Sequence, residues 1–493
     1  MARMMMKDTV PNMVSMTNLP RAERLRRLSP LLMILLIALV VRLGVLLVFN
    51  DIFAFERTGA VHGSIAYDLY AQNLLATGIY GKTEPGVPDT HLPPLYSYAL
   101  AAAYGLLGRN HLALAALNVV LDLVAIAALY GICARLFAFT NGKAVAVLAS
   151  LFYALYPYLL FHNLTLIDTP LFMALLYLFL YLIVVLRGQP LDQGGWKLAA
   201  ASGLVLGLLL LTRPNAGIIA LVAALWFAIN LRLASAIGRL IPVALVSVAV
   251  LTPWIIRNYG VHGVFVPVAS NSGENFYQGN SIYTIPYLRA GYDVQWMPSP
   301  EYEFEDPFGP QATAIRFGWG LDFLRENPEV IPELLWVKFL VHWSIDVAPA
   351  RNPTEGEIAR FDPFNEVVAE QADDDLLLSG LPPGDAVGVY SSSLFDQVGR
   401  TVHRFYYGGL FFLALLGAAL TLPHWRAMSL LWLVQIAMTI AYVLFHPATR
   451  YRAPTDPLLF AFSAAALLLM WQWGAARASG KRPMANTPAA ERS

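Results

Sequence analysis

Charged residues are scarce in this chain: Asp, Glu, Lys and Arg make up 13% of 493 residues, and 57% of the residues are hydrophobic. Soluble proteins carry roughly 25% charged residues, about twice that share. The formal net charge is zero, so nothing in the composition indicates a nucleic-acid partner. Several apolar stretches approach the ~20 residues that cross a bilayer as a helix. The sequence therefore predicts an all-α polytopic membrane protein.

Cysteine is nearly absent as well. The single cysteine, Cys133, lies inside an apolar stretch. One cysteine excludes an intrachain disulfide framework and argues against a cysteine metal cluster. The chain also shows no convincing internal repeat, which argues against a carrier built from inverted repeats.

The apolar stretches predict ten membrane spans with both termini in the cytoplasm. The ten predicted spans are 31–49, 111–136, 144–161, 169–186, 197–212, 215–231, 239–256, 405–422, 427–445 and 456–473. A further short stretch, 94–107, is predicted to lie at the interface, because counting it as a span would move Lys143 outside. With this assignment the cations of nearly every short loop fall inside, as the positive-inside rule requires. Arg109 is an exception, since it stays outside.

Most polar residues gather in two long loops on the outer side. The predicted organisation is a cytoplasmic tail (1–30), an N-terminal transmembrane module (31–256) with a first outer loop (51–91), a large extracytoplasmic region (257–403), C-terminal helices (404–475) and a cytoplasmic tail (476–493). Three shorter outer loops are predicted at 163–168, 212–215 and 446–454. Pores and carriers keep their functional groups near the bilayer midplane. Polar groups at the surface favour a catalyst that acts at the lipid boundary.

Two acids of the outer loops are candidates for chemistry. Asp68 lies in a predicted amphipathic helix between Ser64 and Gly78, which we expect to lie along the outer surface and present this carboxylate. Asp168 stands at the start of a span, where capping the helix is the alternative role. Two carboxylates on one face suit a general base for an acceptor hydroxyl, or a divalent cation, Mg²⁺ or Mn²⁺. Asp51 is a third candidate.

Cations on the outer side are candidates for substrate binding. Arg213, Arg450 and Arg452 depart from the positive-inside rule, and arginine binds phosphate oxygens through a planar fork. Interfacial anchors or structural ion pairs are the alternative. The other candidates for substrate binding are Arg257, Asn258, Lys338 and His91. The segment 270–281, SNSGENFYQGNS, suits sugar or phosphate binding through backbone groups, or else forms a tight turn.

Several short motifs follow one another in a characteristic order. They are Leu74 to Gly78, Pro93 to Tyr96, Asp168, Leu211 to Pro214, Thr252 to Asn258, Ser272 to Asn280, Lys338, and Arg450 to Pro454. In this order and loop placement the chain, over roughly residues 30–475, resembles the bacterial GT-C glycosyltransferases related to protein O-mannosyltransferases and lipid A aminoarabinose transferases.

The resemblance implies a GT-C-like helical bundle with an extracytoplasmic active site, in the bacterial cytoplasmic membrane. It implies a polyprenyl-phosphate sugar donor, inversion at the sugar, and a lipid, glycan or protein acceptor. Asp168 matches the second acid of such enzymes, and Arg213 falls where they place a phosphate-binding cation.

The chain departs from the resemblance in its first loop. The acid of that loop usually stands about one helical turn before the equivalent of Tyr67, where this sequence has Gly63 and Ser64. Asp68 is the predicted substitute, with Asp51 or Glu56 as alternatives. We therefore expect Asp68→Asn and Asp168→Asn each to abolish transfer. The rival functions are a transporter or flippase of a lipid-linked saccharide and a non-catalytic relative.

Overall fold

The computed structural model describes residues 21–48, 64–350 and 394–478, and these residues form helices joined by loops. We number the helices in chain order. They are α1 Arg21–Val48, α2 Ser64–Thr77, α3 Leu95–Leu107, α4 His111–Leu136, α5 Gly142–Ala154, α6 Pro157–His162, α7 Thr169–Gly188, α8 Trp196–Thr212, α9 Gly217–Asn230, α10 Leu233–His262, α11 Ser272–Gly279, α12 Thr284–Ala290, α13 Pro310–Glu326, α14 Ile331–His342, α15 Leu394–Leu420, α16 Trp425–Leu444, α17 Thr449–Arg452 and α18 Asp456–Ala478.

Within the described ranges, eight helical segments are long and apolar enough to cross a membrane. They are Ser29–Leu47, His111–Leu136, Thr169–Gly188, Leu191–Thr212, Leu233–His262, Val398–Leu420, Leu422–Leu444 and Thr449–Ala478. The predicted all-α polytopic architecture is therefore confirmed. The count of ten spans stays a prediction, because α5 has 13 residues and α9 has 14. At about 1.5 Å per residue such helices fall short of a ~30 Å hydrocarbon core.

The predicted span 144–161 is two helices rather than one. Helix α5 ends at Ala154, Tyr156 has an extended backbone with ψ of 110°, and Pro157 begins α6. Proline favours the first turn of a helix and disfavours a helical residue before it, so the chain bends at this point. The short α6 then leads into the buried loop that precedes α7.

The bundle core is built from close helix pairs. Helix α4 packs against α5 and α7, α8 packs against α10, and α15 packs against α18. Small residues allow the closest approach: an added Cβ at Gly203 of α8 would clash with the Val243 carbonyl oxygen of α10, and one at Gly417 of α15 would clash with Phe462 of α18. Such small-residue contacts are the usual way that membrane helices pack backbone to backbone.

A buried ion pair joins α1 to α4. Arg42 contacts Asp122, and both side chains are 1% exposed. Asp122 also accepts hydrogen bonds from Tyr153 of α5 and from Asn163, whose Nδ2 lies 2.8 Å away. This network ties the loop before α7 to three helices, and that loop carries Asp168.

The outer helix α2 has the bounds expected from its sequence, and Gly78 follows it in a left-handed conformation with φ of 74°. The expectation that α2 presents Asp68 at the surface is wrong, because Asp68 is 0% exposed. Arg109 Nη2 lies 2.6 Å from its carboxylate and the Tyr104 hydroxyl donates at 2.8 Å. Both partners come from α3 or the turn after it.

Helix α11 packs tightly against the segment that follows α16. A Cβ added at Gly279 would clash with the Phe445 carbonyl oxygen, so Gly279→Ala must shift one of the two backbones. We expect this variant to lose about 1–3 kcal/mol of unfolding free energy. Gly260→Ala is the matched control, since its Cβ would meet open space in α10, and we expect it to be neutral or to stabilise by up to ~1 kcal/mol. Thermal unfolding in detergent measures both, and equal midpoints would contradict the expectation.

Candidate active site

A cavity of about 800 Å³ lies at one end of the bundle. Each of the five segments predicted to lie outside contributes to its lining. One contribution from each segment, in chain order, is Tyr67, Asp168, Arg213, Glu274 and Arg450. The structure thus brings together the loops that the charge pattern assigned to a single face.

Asp168 and Arg213 form a bidentate ion pair in the cavity wall. Arg213 Nε lies 2.6 Å from Asp168 Oδ2, and Arg213 Nη2 lies 2.7 Å from Oδ1. Asp168 stands at the N-cap position of α7 but makes no capping hydrogen bond with its side chain. The Arg213 guanidinium also lies 4.6 Å from the Phe172 ring centroid. This ion pair therefore joins the start of α7 to the end of α8.

Arg213 carries a permanent positive charge, and one of its N–H groups makes no hydrogen bond with the described residues. Burial by itself would lower the pKa of Arg213, but the Asp168 carboxylate and its hydrogen bonds raise it above its usual value. Nη1 of Arg213 is buried and has no hydrogen-bond partner among the described residues. A buried N–H without a partner is costly, so such a group favours an anion or a strong acceptor beside it.

Arg450 is a second arginine of the lining, which also contains Arg316 and Lys82. Its Nη2 donates to Gln295 Oε1 and, at 3.0 Å, to the Tyr451 hydroxyl. Its Nε is buried without a hydrogen-bond partner in the described part of the chain. Unlike Arg213, it has no ion pair within the described residues. An incoming anion would therefore meet a guanidinium that no carboxylate of the described residues contacts directly, although Asp293 lies near enough to interact with its charge.

One wall of the cavity is apolar. Ile218 of α9 and Ile440 and Leu444 of α16 line it, and the two helices pack against each other. Ile440 is 50% exposed and Leu444 is 51% exposed. The cavity thus combines polar groups with an accessible apolar wall, as an amphiphilic ligand requires.

The lining also includes an acid that the sequence analysis did not predict as a site residue. Glu274 lines the cavity with Asn275 and Gln278, and its Oε2 lies 3.9 Å from His91 Nε2. The segment 270–281, interpreted as a loop or tight turn, forms the helix α11. The signal was present in the polar residues spaced three and four apart, which share one helical face.

Four of the ten predicted site residues line this cavity: His91, Asp168, Arg213 and Arg450. Asp68 does not line the cavity, and its carboxylate is bonded to Arg109 instead. Asp51 lies outside the described residues.

The remaining predicted residues hold the scaffold together. Arg257 donates to the carbonyl oxygens of Asp89 and Tyr80. Asn258 donates to those of Val266 and Val268. These bonds join the end of α10 to the segment between α2 and α3 and to the loop that follows α10.

Arg452 and Lys338 are buried beside the cavity rather than in its lining. Arg452 is 0% exposed, pairs with Asp456 at 3.2 Å and donates to the His342 carbonyl oxygen. Lys338 Nζ donates to Asn280 Oδ1 at 2.9 Å. These contacts fix α14 and α17 against their neighbours.

The pH dependence of stability tests the burial of Lys338. Burial lowers the pKa of Lys338 from 10.5 to about 7. Between these two values the folded protein binds fewer protons than the unfolded chain, so its stability rises with pH, by up to about 1.4 kcal/mol per pH unit. Below about pH 7 this contribution is constant. Lys338→Met should lack this rise. Parallel stability curves for the variant and the wild type between pH 7 and 9 would contradict the burial.

The predicted cation site of Asp68 and Asp168 does not fit the structure. Both oxygens of Asp168 are bonded to Arg213, and Asp68 is bonded to Arg109. Within the described ranges, no group of three or more His, Cys, Asp or Glu side chains is placed to hold a metal ion. We therefore assign no step to a metal.

Comparisons with known proteins bear on the fold. Residues 91–256 match the family described as dolichyl-phosphate-mannose-protein mannosyltransferase, and this segment includes Asp168 and Arg213. The apo form of the Archaeoglobus fulgidus oligosaccharyltransferase matches at a TM-score of 0.51 and 15% identity, covering 94% of this chain and 53% of that one. This chain has the GT-C fold.

A second structure of the same oligosaccharyltransferase, tethered through a disulfide to an acceptor peptide with the NVT sequon, matches at a TM-score of 0.51 and 14% identity, covering 93% of this chain and 52% of that one. The GT-C chain described here spans about half the length of these relatives. A search of curated proteins finds no match. The resemblance predicted from the order of motifs is confirmed.

Proposed function

We propose that the protein is an inverting hexosyl- or pentosyltransferase. It moves a sugar from a polyprenyl-phosphate donor to a lipid, glycan or protein acceptor outside the bacterial cytoplasmic membrane. One observation carries the proposal: two guanidinium groups, each with a buried N–H that has no hydrogen-bond partner among the described residues, line a cavity that also has an apolar wall.

Arg213 and Arg450 hold the donor phosphate in this account. Charge-assisted hydrogen bonds from guanidinium to phosphate are short and directional. When the bond between the sugar and the phosphate breaks, negative charge builds up on the leaving phosphate. Fixed cations in a site of low dielectric stabilise that charge more than they stabilise the ground state.

The polyprenyl chain lies along the apolar wall. Ile218, Ile440 and Leu444 offer it an apolar surface within the cavity. Burial of an isoprenoid chain is worth about 0.8 kcal/mol per CH₂ group. The amides of Asn275, Gln278 and Gln295 supply donors and acceptors for sugar hydroxyls within the same cavity.

The cavity faces the extracytoplasmic side in this proposal. The positive-inside rule assigns the five lining loops to that side. Water-soluble activated sugars are made in the cytoplasm, so a transferase on the far side needs a sugar carried by a lipid. The polyprenyl phosphate meets that need.

A transfer assay tests the function. Purified protein in nanodiscs receives polyprenyl phosphates that carry different labelled sugars, with cell-envelope lipid, glycan and protein fractions as acceptors. We expect one donor to yield a covalently labelled acceptor. Donor movement across vesicles without product would instead indicate a flippase, and binding of no polyprenyl phosphate would indicate a non-catalytic protein.

The contacts of Asp68 change the expectation for its substitution. Because Asp68 is paired with Arg109 and does not line the cavity, we expect folded Asp68→Asn to transfer sugar at the wild-type rate. Stability should fall by about 1–3 kcal/mol as the buried ionic hydrogen bonds weaken. Asp168→Asn is the comparison, and we expect it to lose transfer. Loss of transfer in correctly folded Asp68→Asn would return the catalytic role to that residue.

A further inference from the structure

The cavity contains two carboxylates among the described residues, and only one of them is free to take a proton. Both oxygens of Asp168 accept hydrogen bonds from Arg213. Glu274 forms no ion pair with a Lys or Arg within the described residues, although Lys82 lies near enough for their charges to interact. It contacts Gln278 Nε2, at 3.4 Å, and His91 Nε2, at 3.9 Å. Its side chain is 36% exposed, so solvent and substrate can reach it.

Helix α11 holds Glu274 in a fixed position. A Cβ added at Gly273 would clash with the Thr313 carbonyl oxygen of α13, and one at Gly279 would clash with the Phe445 carbonyl oxygen. The eight-residue helix therefore contacts the backbone of the chain near both of its ends. A catalytic carboxylate on such a rigid element needs little reorganisation when substrate binds.

The charges of the cavity are divided between different elements. The cations that we assign to the phosphate come from the end of α8 and from α17, whereas Glu274 comes from α11. Inversion requires the acceptor to approach the sugar from the face opposite the leaving group, with its base on that same face. Asp168 is bonded directly to Arg213 and so lies beside the leaving group, whereas Glu274 makes no such contact with either phosphate cation in the described residues.

We propose that Glu274 is the catalytic base that accepts the proton of an acceptor hydroxyl; this role rests on the glycosyl transfer proposed above. The hydroxyl oxygen forms a bond to the anomeric carbon, and the bond from that carbon to the phosphate oxygen breaks. The electron pair leaves with the polyprenyl phosphate beside Arg213 and Arg450. The hydroxyl proton moves to the Glu274 carboxylate and from there to water. Glu274 thus takes the place of the first-loop acid that the resemblance implies.

Glu274→Gln tests the role, because it keeps the size of the side chain and removes the basic oxygen. Positioned general-base catalysis is worth about 10²–10⁴-fold in rate, and we expect transfer to fall by that factor. Farnesyl phosphate binding and thermal unfolding should not change. The acidic limb of the kcat/KM profile against pH should disappear, and Glu274→Asp should retain part of the rate. Glu333→Gln is the matched control, since Glu333 forms an exposed ion pair with Arg289.

The outcomes separate this role from the function itself. Wild-type transfer at a normal rate in Glu274→Gln, with its acidic limb intact, would overturn the base assignment alone. Loss of transfer in Asp51→Asn or Glu56→Gln, with normal transfer in Glu274→Gln, would move the base to the first loop. If the wild type makes no product from any polyprenyl-phosphate sugar, the proposed function fails and this role fails with it.

Discussion

Arg450→Gln is expected to lower transfer by about 10²–10³-fold in a protein that stays folded. The substitution removes a cation from the cavity and keeps a side chain that can still donate to Gln295. Arg450 has no ion pair among the described residues, so no buried carboxylate loses its partner. The loss therefore falls on the stabilisation of the leaving phosphate rather than on folding.

Steady-state transfer and farnesyl phosphate binding measure the effect of Arg450→Gln. We expect both to weaken, with Arg450→Lys intermediate because lysine keeps the charge but not the planar fork. Arg426→Gln is the matched control, since Arg426 lies at the other end of α16 from the cavity. Equal phosphate affinity in Arg450→Gln and Arg426→Gln would contradict the assignment.

Arg213→Met is expected to abolish transfer and also to destabilise the protein by about 3–5 kcal/mol. The Asp168 side chain is 6% exposed and both of its oxygens are bonded to Arg213. Removing the guanidinium leaves that carboxylate buried without a counter-charge. An uncompensated buried charge costs far more than a surface ion pair contributes.

The double variant Arg213→Met/Asp168→Leu separates the two effects. Replacement of a buried ion pair by apolar side chains is often neutral for stability, so we expect unfolding close to that of the wild type. Transfer should remain absent, because the phosphate has lost one of its cations. Arg289→Met is the control, since its pair with Glu333 is exposed, and we expect a change below ~1 kcal/mol. Recovery of transfer in the double variant would show that Arg213 serves only the fold.

The features that depend on local sequence were predictable. The lengths of apolar stretches predict the spanning helices, and glycine after α2 predicts where that helix ends. The distribution of Lys and Arg assigned five loops to one face, and these loops meet at one cavity. Hydropathy and charge asymmetry are properties of each segment by itself, so they can be determined without knowledge of how the segments pack.

The features that depend on distant partners were not predictable. Asp68 faces inward because Arg109, 41 residues further along, supplies a cation at that point. Hydrophobic periodicity identifies the helix but says nothing of that partner. Glu274 was not predicted as a site residue for a related reason. Helix α11 is eight residues long and polar, so its glycines indicated a loop. Its stability comes from packing against α13 and the end of α16.

A structure of the protein in lipid nanodiscs with a bound polyprenyl phosphate tests the central claim most directly. The account predicts phosphate oxygens within hydrogen-bond distance of Arg450 and Arg213 Nη1, with the isoprenoid chain against Ile218 and Leu444. It also predicts that Glu274 faces the phosphate across the space that the sugar would fill. A phosphate bound elsewhere, with the cavity between these arginines empty, would contradict the account.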